Sequence, residues 1–195
     1  QMQMFEAAYT GHTFFFVIGL PKFMTTGAYS NPNSTIHIHA LNLKSIIEKC
    51  ARQYSGLSDL TVQQGQVDDG DGRRLTFATG VARDQNGFNL TLHEFAGMPL
   101  KNGMETWMNG IFDPISQHGN YYGNLSIDGG WCLANHSMSL LVVQTDPSWT
   151  EIQDAVLYTN ILPVNLPADY FNFDKGEGRI IEDMTLNFTA NEIRN

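Results

Sequence analysis

Basic side chains are scarce in this sequence of 195 residues, which has 11 Lys and Arg against 20 Asp and Glu and a net charge of −9. Neutralising phosphates requires Lys and Arg, so we do not expect tight binding to nucleic acid. A surface that lies next to DNA without binding it tightly is consistent with this excess of acidic over basic residues. Charged residues of both signs make up only 16% of the chain. Because a monomer usually carries more charge, we expect other chains to cover part of the surface.

Cysteines and long apolar runs are also few. The only cysteines are Cys50 and Cys132, and we favour two buried free thiols over a single disulfide because small secreted domains usually have more cysteines. No signal peptide is visible, and no run approaches the 18 or so apolar residues of a membrane helix, so no membrane partner is expected. Hydrophobic residues still make up 42%, which is enough for a core, and the length suits one domain over residues 1–195.

Motifs of catalysis and cofactor binding are absent as well, including G-x-S-x-G, H-E-x-x-H, the phosphate-binding loop and the dinucleotide fingerprint. His37 and His39 lie two apart on a predicted strand and could chelate a metal, but no third ligand is recognisable nearby. DDGDGRR resembles the start of a calcium loop, yet Arg73 and Gly80 would stand where side-chain oxygen donors are needed. We therefore expect no enzyme activity, no metal and no cofactor.

Alternating apolar and polar residues predict a mainly β protein. The apolar run at 12–20 predicts a strand buried on both faces. The segments 60–67 and 73–81 flank DDGDG and predict a long hairpin with an acidic tip, in whose second arm Leu75, Phe77 and Val81 alternate with polar or small residues. Further strands are predicted at 35–40, at 87–95 as the next strand of a meander, and near 131–145, 151–162 and 179–190.

Two segments have helical spacing. The first is predicted over 43–54, with Asn42 as its cap and Gly56 as its end. The second would be capped by Asn102 and ended by Asp113-Pro114; its apolar positions are Met104, Trp107, Met108, Ile111 and Phe112. No regular βαβ rhythm is present, so we expect an antiparallel β-sandwich or barrel with one or two helices and a long hairpin.

An apolar segment with two prolines, LYTNILPVNLPADYFNFDKGE, lies at 157–177. Pro163 and Pro167 fix the backbone and remove two hydrogen-bond donors, so the preceding strand must end there. Tyr170, Phe171 and Phe173 then place aromatic surface on a turn. These rings are suited either to the core of the subunit or to contact with a neighbouring subunit, and both readings stay open.

The order of these motifs resembles the tail tube proteins of tailed bacteriophages, especially those with contractile tails. A strand closes on a Glu, a G-x-P step and a helix with a Trp follow, and a proline-rich turn precedes a final amphipathic strand. The resemblance covers roughly residues 87–190. The matching positions are Glu94, Gly97, Pro99, Trp107, Gly110, Asp113, Pro114, Tyr122, Gly123, Pro163, Pro167, Asp169 and Asn172.

The resemblance implies a structural virion protein that forms hexameric rings, which stack into a tube inside a contractile sheath. DNA would pass through the channel during ejection without specific binding. The implied partners are further copies of the chain, the tail sheath protein, and the baseplate and tail terminator proteins at the tube ends. The implied location is the virion tail, after assembly in the bacterial host cytoplasm. A tube-end or baseplate tube protein, a phage-like secretion tube subunit and a monomeric β-sandwich binding module remain alternatives.

We expect the hairpin at 60–81 to extend beyond the subunit and contact a neighbour, because a long two-stranded hairpin is marginal alone. Polar and acidic side chains of 60–67 and 73–81 are expected to line the channel, since a basic lining would hold DNA. Alternatively, the acids only solvate an exposed tip. Arg73 and Arg74 should lie outside the channel or pair with Asp68, Asp69 or Asp71. The candidate contacts between subunits are Asp68, Asp69, Asp71, Arg73, Arg74, Tyr170, Phe171 and Phe173.

Overall fold

The computed structural model describes residues 11–25, 35–56, 60–68, 70–71, 73–83, 87–113, 115–116, 133–167, 171–172, 180–181 and 183–194. Its strands are β1 Thr13–Gly19, β2 Ala51–Ser55, β3 Leu60–Asp68, β4 Arg74–Arg83, β5 Phe88–Leu92, β6 Met138–Thr145, β7 Ile152–Pro163, β8 Phe171–Asn172, β9 Ile180–Ile181 and β10 Met184–Arg194. Its helices are α1 Lys22–Thr25, α2 Thr35–Cys50, α3 Pro99–Ile111 and α4 Leu133–His136. None of the helices in these ranges is long and apolar enough to cross a membrane.

Six strands form one curled antiparallel sheet in the order β1-β6-β7-β10-β5-β2. Among the described strands, β3 and β4 pair only with each other and form a separate two-stranded sheet. β8 and β9 form a third, very short pair. The expected mainly β, antiparallel fold with helices and a long hairpin is confirmed.

The core lies between one face of the six-stranded sheet and helices α2 and α3. Alternate residues of the central strands are buried, such as Phe88 and Leu90 on β5 and Leu186 and Phe188 on β10. The helices contribute Leu43 and Ile47 from α2, and Leu100, Met104 and Trp107 from α3, all fully buried. Each such side chain stabilises the fold by about 1.5–3 kcal/mol relative to leaving it exposed.

The predicted strand at 35–40 is wrong, because α2 begins at Thr35 and ends at Cys50. Ile36, Ala40, Leu43 and Ile47 recur at helical spacing and face the core, which extends the apolar face toward the N-terminus. The helix predicted over 43–54 therefore starts eight residues late, and its last residues belong to β2. Gly56 follows β2 with a positive φ of 109° and ends that strand rather than a helix.

Three further expectations about the strands are wrong. β1 is buried on one face only, through Phe15 and Val17. β5 pairs with β10 and β2 instead of following the hairpin as the next strand of a meander. The segment predicted as strand from 131 contains α4 before β6 begins at Met138. Alternation of apolar and polar residues predicts which face of a strand is buried, but it does not reveal which strands become neighbours.

Candidate assembly surfaces

The strand–turn–helix at Glu94, Gly97 and Pro99 is built around one buried carboxylate. Glu94 is 1% exposed and lies just beyond β5. Its Oε1 accepts hydrogen bonds from the backbone N–H groups of Phe95 at 2.9 Å and Leu100 at 3.1 Å, and its Oε2 accepts one from Lys101 at 2.8 Å. The carboxylate therefore satisfies the first free N–H groups of α3, where the helix dipole also favours negative charge.

Gly97 and Pro99 shape the turn that brings Glu94 to the helix. Gly97 has a φ of +88°, a conformation that glycine adopts without strain. Pro99 is the first residue of α3, where its missing N–H costs no helical bond. The predicted cap Asn102 lies inside the helix instead, and its side-chain amide donates to the Gly97 carbonyl at 3.2 Å. These family-motif positions thus serve the fold of the subunit.

Trp107 and Gly110 join α3 to the rest of the core. The Trp107 indole N–H donates to the His136 carbonyl at 2.7 Å, which connects α3 to α4. Gly110 packs directly under the Phe23 ring, and a Cβ at this position would collide with that ring. Both positions are therefore determined by packing, and neither is available to a partner.

The two remaining described motif regions lie where α3 and β7 end. Asp113 accepts hydrogen bonds from the Ile115 N–H at 2.9 Å and the Ser116 hydroxyl at 2.8 Å, just after α3. Pro163 is the last residue of β7, opposite Phe188 of β10. β7 therefore ends at the first proline, as expected, and the Val164 N–H makes one more hydrogen bond to β10, to the Asn187 carbonyl at 2.9 Å. Pro167 follows, partly buried.

Several predicted positions lie wholly or partly outside the described residues. The backbone of Phe171 and Asn172 forms β8, paired with Ile181 and Ile180 of β9, and their side chains are not described. Whether the aromatic residues of this turn face the core or a neighbour therefore stays a prediction. The positions outside the description are Asp69, Pro114, Tyr122, Gly123, Asp169, Tyr170 and Phe173, together with Cys132; Cys50 is a free thiol.

His37 and His39 do not form a chelating pair, because they lie on a helix. Residues two apart on a helix point in different directions. The His39 ring nitrogen Nδ1 instead lies 2.8 Å from the Thr106 hydroxyl and bridges α2 to α3. Within the described ranges, no group of three His, Cys, Asp or Glu residues could hold a metal ion.

The hairpin β3–β4 is largely exposed and packs closely only on itself among the described elements. Its register pairs Val67 with Leu75, Gly65 with Phe77 and Gln66 with Thr76. A bulge at the level of Gln63 and Gln64 adds one residue to β4. The bulge reverses the alternation, so that Val81 lies on the opposite face from Phe77 although both are odd-numbered.

The outer half of the hairpin has one apolar face and one polar face. The apolar face, called here the hairpin apolar face, consists of Val67, Leu75 and Phe77, which are 52%, 56% and 49% exposed. The Phe77 ring lies over Gly65, where an added Cβ would come within 2.9 Å of it. The opposite face carries Gln64, Gln66 and Thr76, none of them charged.

Charge on the hairpin strands is confined to their ends. Asp68 and Arg74 pair across the tip, with 3.3 Å between Oδ1 and Nε, and both side chains are largely exposed. An exposed ion pair adds less than about 1 kcal/mol to stability, so its main effect is to neutralise the arginine. Arg73 and Asp71 are exposed nearby.

A second apolar surface lies on the outer face of the six-stranded sheet, and the sequence analysis did not anticipate it. Four residues directly opposite one another form a row across four neighbouring strands, called here the outer row: Phe16 on β1, Leu141 on β6, Leu157 on β7 and Ile193 on β10. Phe16 is 48% and Ile193 52% exposed. The only sequence signal for this surface is the unbroken apolar run of β1.

Aromatic rings extend this surface at the β1 edge. Trp149 packs edge-on against Phe14, with ring centroids 5.2 Å apart, and against His12 at 4.9 Å. The loop that carries Trp149 is held by Asp146, which accepts from the Glu151 N–H at 2.9 Å and the Thr150 N–H at 2.8 Å. These hydrogen bonds, led by that from the Glu151 backbone, hold the pKa of Asp146 well below its usual range.

The described part of the chain thus combines a buried apolar core with two apolar surfaces that include exposed side chains, as expected of a subunit that contacts other chains. Residues 6–194 match the family model of the phage tail tube protein. The chain therefore belongs to the phage tail tube protein family, which is structural and non-enzymatic. It is a component of a virion tail or of the tail-like part of a secretion particle.

The chain also resembles solved structures, at low sequence identity. The tube-terminating cap of the anti-feeding prophage is 14% identical, with a TM-score of 0.54, and the match covers 100% of this chain and 95% of that one. The sheath–tube complex of the extracellular contractile injection system PVC is 15% identical, with a TM-score of 0.47 and coverage of 76% and 82%. Its sheath/tube terminator is 16% identical, with a TM-score of 0.45 and coverage of 76% and 86%. No curated protein sequence matches the chain significantly.

Proposed function

We propose that this chain is the repeating subunit of a tail tube, in which six copies form a ring and the rings stack inside a contractile sheath. Family membership across residues 6–194 is the observation that carries this proposal. The two exposed apolar surfaces support it, because contiguous apolar patches on a folded subunit mark sites of contact with other chains. The whole of residues 1–195 would act as one tube domain, and assembly would take place in the host cytoplasm.

The polar face of the hairpin is suited to line the channel. Gln64, Gln66 and Thr76 offer hydrogen bonds without positive charge, and Arg74 is paired with Asp68. A duplex carries one negative charge per about 1.7 Å of axis, so even one unpaired cation per subunit would repeat around a ring and hold DNA. An uncharged lining in an acidic protein lets the genome pass quickly and without specific binding.

The tip of the hairpin, with Asp68, Asp71, Arg73 and Arg74, would contact a neighbouring subunit, as would the aromatic turn at Tyr170, Phe171 and Phe173. The ends of the tube would contact the baseplate and the tail terminator, and its outer wall the sheath. These partners follow from the tube role and are part of the proposal.

Electron microscopy of the purified chain tests the proposal. We expect rings with six-fold symmetry that stack as concentration rises. Removing the tip at residues 66–73 should impair stacking more than folding, which circular dichroism of the shortened chain monitors. A chain that stays monomeric at every concentration would contradict the tube role, and normal stacking of the shortened chain would contradict the role of the tip.

Passage of DNA has its own test. Changing Gln64 and Gln66 to lysine should make assembled particles retain DNA or eject it more slowly, because the channel would gain two cations per subunit. The matched control is Gln53→Lys on β2, an exposed glutamine outside the hairpin. Equal retention by both variants would contradict a channel lined by the hairpin.

A tube-end protein is the second candidate. The tube-terminating cap of the anti-feeding prophage aligns over the whole of this chain. A terminating cap is needed only at an end of a tube, whereas a tube subunit repeats along its length. The number of copies per particle therefore separates the two roles.

A further inference from the structure

The outer row forms a continuous apolar strip on the face of the sheet that helices α2 and α3 do not cover. Phe16, Leu141, Leu157 and Ile193 are directly opposite one another in the sheet register, so they form one strip across four strands. At about 4.8 Å per strand, that strip is about 14 Å wide. Phe16 and Ile193 at its two ends are about half exposed, and Leu141 and Leu157 between them are partly buried. Such an apolar strip suits neither a channel for a hydrated polyanion nor contact with water.

The hairpin apolar face has the complementary properties. Val67, Leu75 and Phe77 are each about half exposed and lie on one side of a two-stranded ribbon. The ribbon packs closely only on itself among the described elements, so its own sheet does not cover this face. Nine residues of β3 at about 3.3 Å each give a ribbon about 30 Å long, which can reach beyond its own subunit.

Resting on the proposed tube role, we propose that the hairpin apolar face of one copy docks on the outer row of a second copy. The ribbon would form a second β layer over the six-stranded sheet, at the usual distance of about 10 Å between packed sheets. Both surfaces are uncharged at the contact, so docking buries apolar side chains without desolvating an ion pair. The contact joins two different surfaces, and repetition of such a heterologous contact produces rings or stacks.

In this arrangement the amphipathic ribbon lies between the channel and the neighbouring subunit. Its polar face, with Gln64, Gln66 and Thr76, is left toward the channel, while Phe77 and Leu75 press on the neighbour. The Asp68–Arg74 pair lies at the end of the ribbon, beyond the apolar contact. Docking of the apolar face therefore buries neither charge of this pair, and the tip keeps its polar side chains for a contact at the rim.

Disulfide trapping between two variants tests this contact. In a background with Cys50 and Cys132 changed to serine, Phe77→Cys in one chain is mixed with Leu157→Cys in a second chain of different size. Assembly followed by mild oxidation should give a cross-linked species that contains both chains. The matched control replaces Phe77→Cys by Thr76→Cys, the adjacent residue on the opposite face, which should give at least tenfold less of that species.

The outcomes separate this contact from the tube role. Rings that form without the Phe77–Leu157 cross-link, or with an equal Thr76–Leu157 cross-link, overturn the docking contact and leave the tube role intact. If unmodified chains form no rings, the tube role fails and the contact fails with it. Should the cysteine variants not assemble, a density map of unmodified rings decides: a two-stranded ribbon of a neighbour over Leu157 supports the contact, and any other chain or solvent there overturns it.

Discussion

Replacing Glu94 by alanine removes the carboxylate that accepts hydrogen bonds from two backbone N–H groups at the start of α3 and from the Phe95 N–H before it. The buried Leu100 N–H loses its partner at 3.1 Å, which costs about 1–3 kcal/mol. Loss of the capping contact with Lys101 at 2.8 Å adds about 1 kcal/mol. We therefore expect the free energy of unfolding to fall by about 3 kcal/mol, a large fraction of the about 5–15 kcal/mol typical of a folded domain.

Urea unfolding of the dilute, unassembled subunit measures this loss. With a slope of about 2–3 kcal/mol per molar urea, the midpoint should fall by about 1 M. Glu94→Gln should fall between wild type and alanine, because its amide oxygen keeps two acceptor contacts while its NH₂ group faces the Lys101 N–H. The matched control is Glu105→Ala on the exposed side of the same helix, which loses only an exposed ion pair with Lys101 and should cost less than about 1 kcal/mol.

Equal midpoints for the Glu94 and Glu105 alanine variants would refute this reasoning. So would a Glu94→Ala variant that folds normally but loses a contact between subunits, because the residue would then serve assembly instead of the start of α3.

Further perturbations test other parts of the fold, each by urea unfolding of the same dilute subunit. Gly110→Ala should cost about 2 kcal/mol or more because the new Cβ collides with Phe23, and wild-type stability would contradict the packing. Trp107→Phe should lower stability by about 1–3 kcal/mol, since the His136 carbonyl loses its indole donor at 2.7 Å; an unchanged midpoint would show that the bond contributes nothing. Burial lowers the pKa of His136 in the folded state. As the pH falls, the unfolded state therefore becomes protonated at this residue before the folded state does. Stability should therefore fall as pH drops below about 6.5, and His136→Gln should flatten that dependence.

The repeating parts of this fold could be predicted from the sequence because their side-chain periods match their environments. The strand at 87–95 alternates cleanly, and the structure buries Phe88, Leu90 and Leu92 on one side of β5. The long hairpin was predictable from two alternating segments around DDGDG. The end of β7 was predictable because proline cannot continue a central strand.

The start of α2 could not be predicted in the same way. TIHIHA alternates β-branched and polar residues like a strand, and local preference is weak enough for tertiary packing to override it. The fully buried Ala40 shows the reason, since only a helix places it beside Leu43 on the core face. The role of Glu94 did leave a signal, an acid five residues before a proline at the first position of a helix.

The outer row could not be predicted from the sequence for a different reason. The unbroken apolar run of β1 was predicted to be buried on both faces, yet Phe16 and Ile18 are 48% and 62% exposed in the single chain. Burial by the subunit's own core and burial by a neighbour select the same residue types, so the sequence alone does not separate them. The bulge near Gln63 likewise decides which hairpin residues share a face, and nothing in the alternation predicts its position.

A cryo-electron microscopy map of the purified chain at high concentration shows directly whether this chain builds a tube from stacked rings. We expect six copies per ring, with rings stacked coaxially and the Gln64, Gln66 and Thr76 faces of the hairpins turned toward the channel. Single unassembled particles, or a channel that carries a continuous ring of unpaired Lys or Arg, would contradict it.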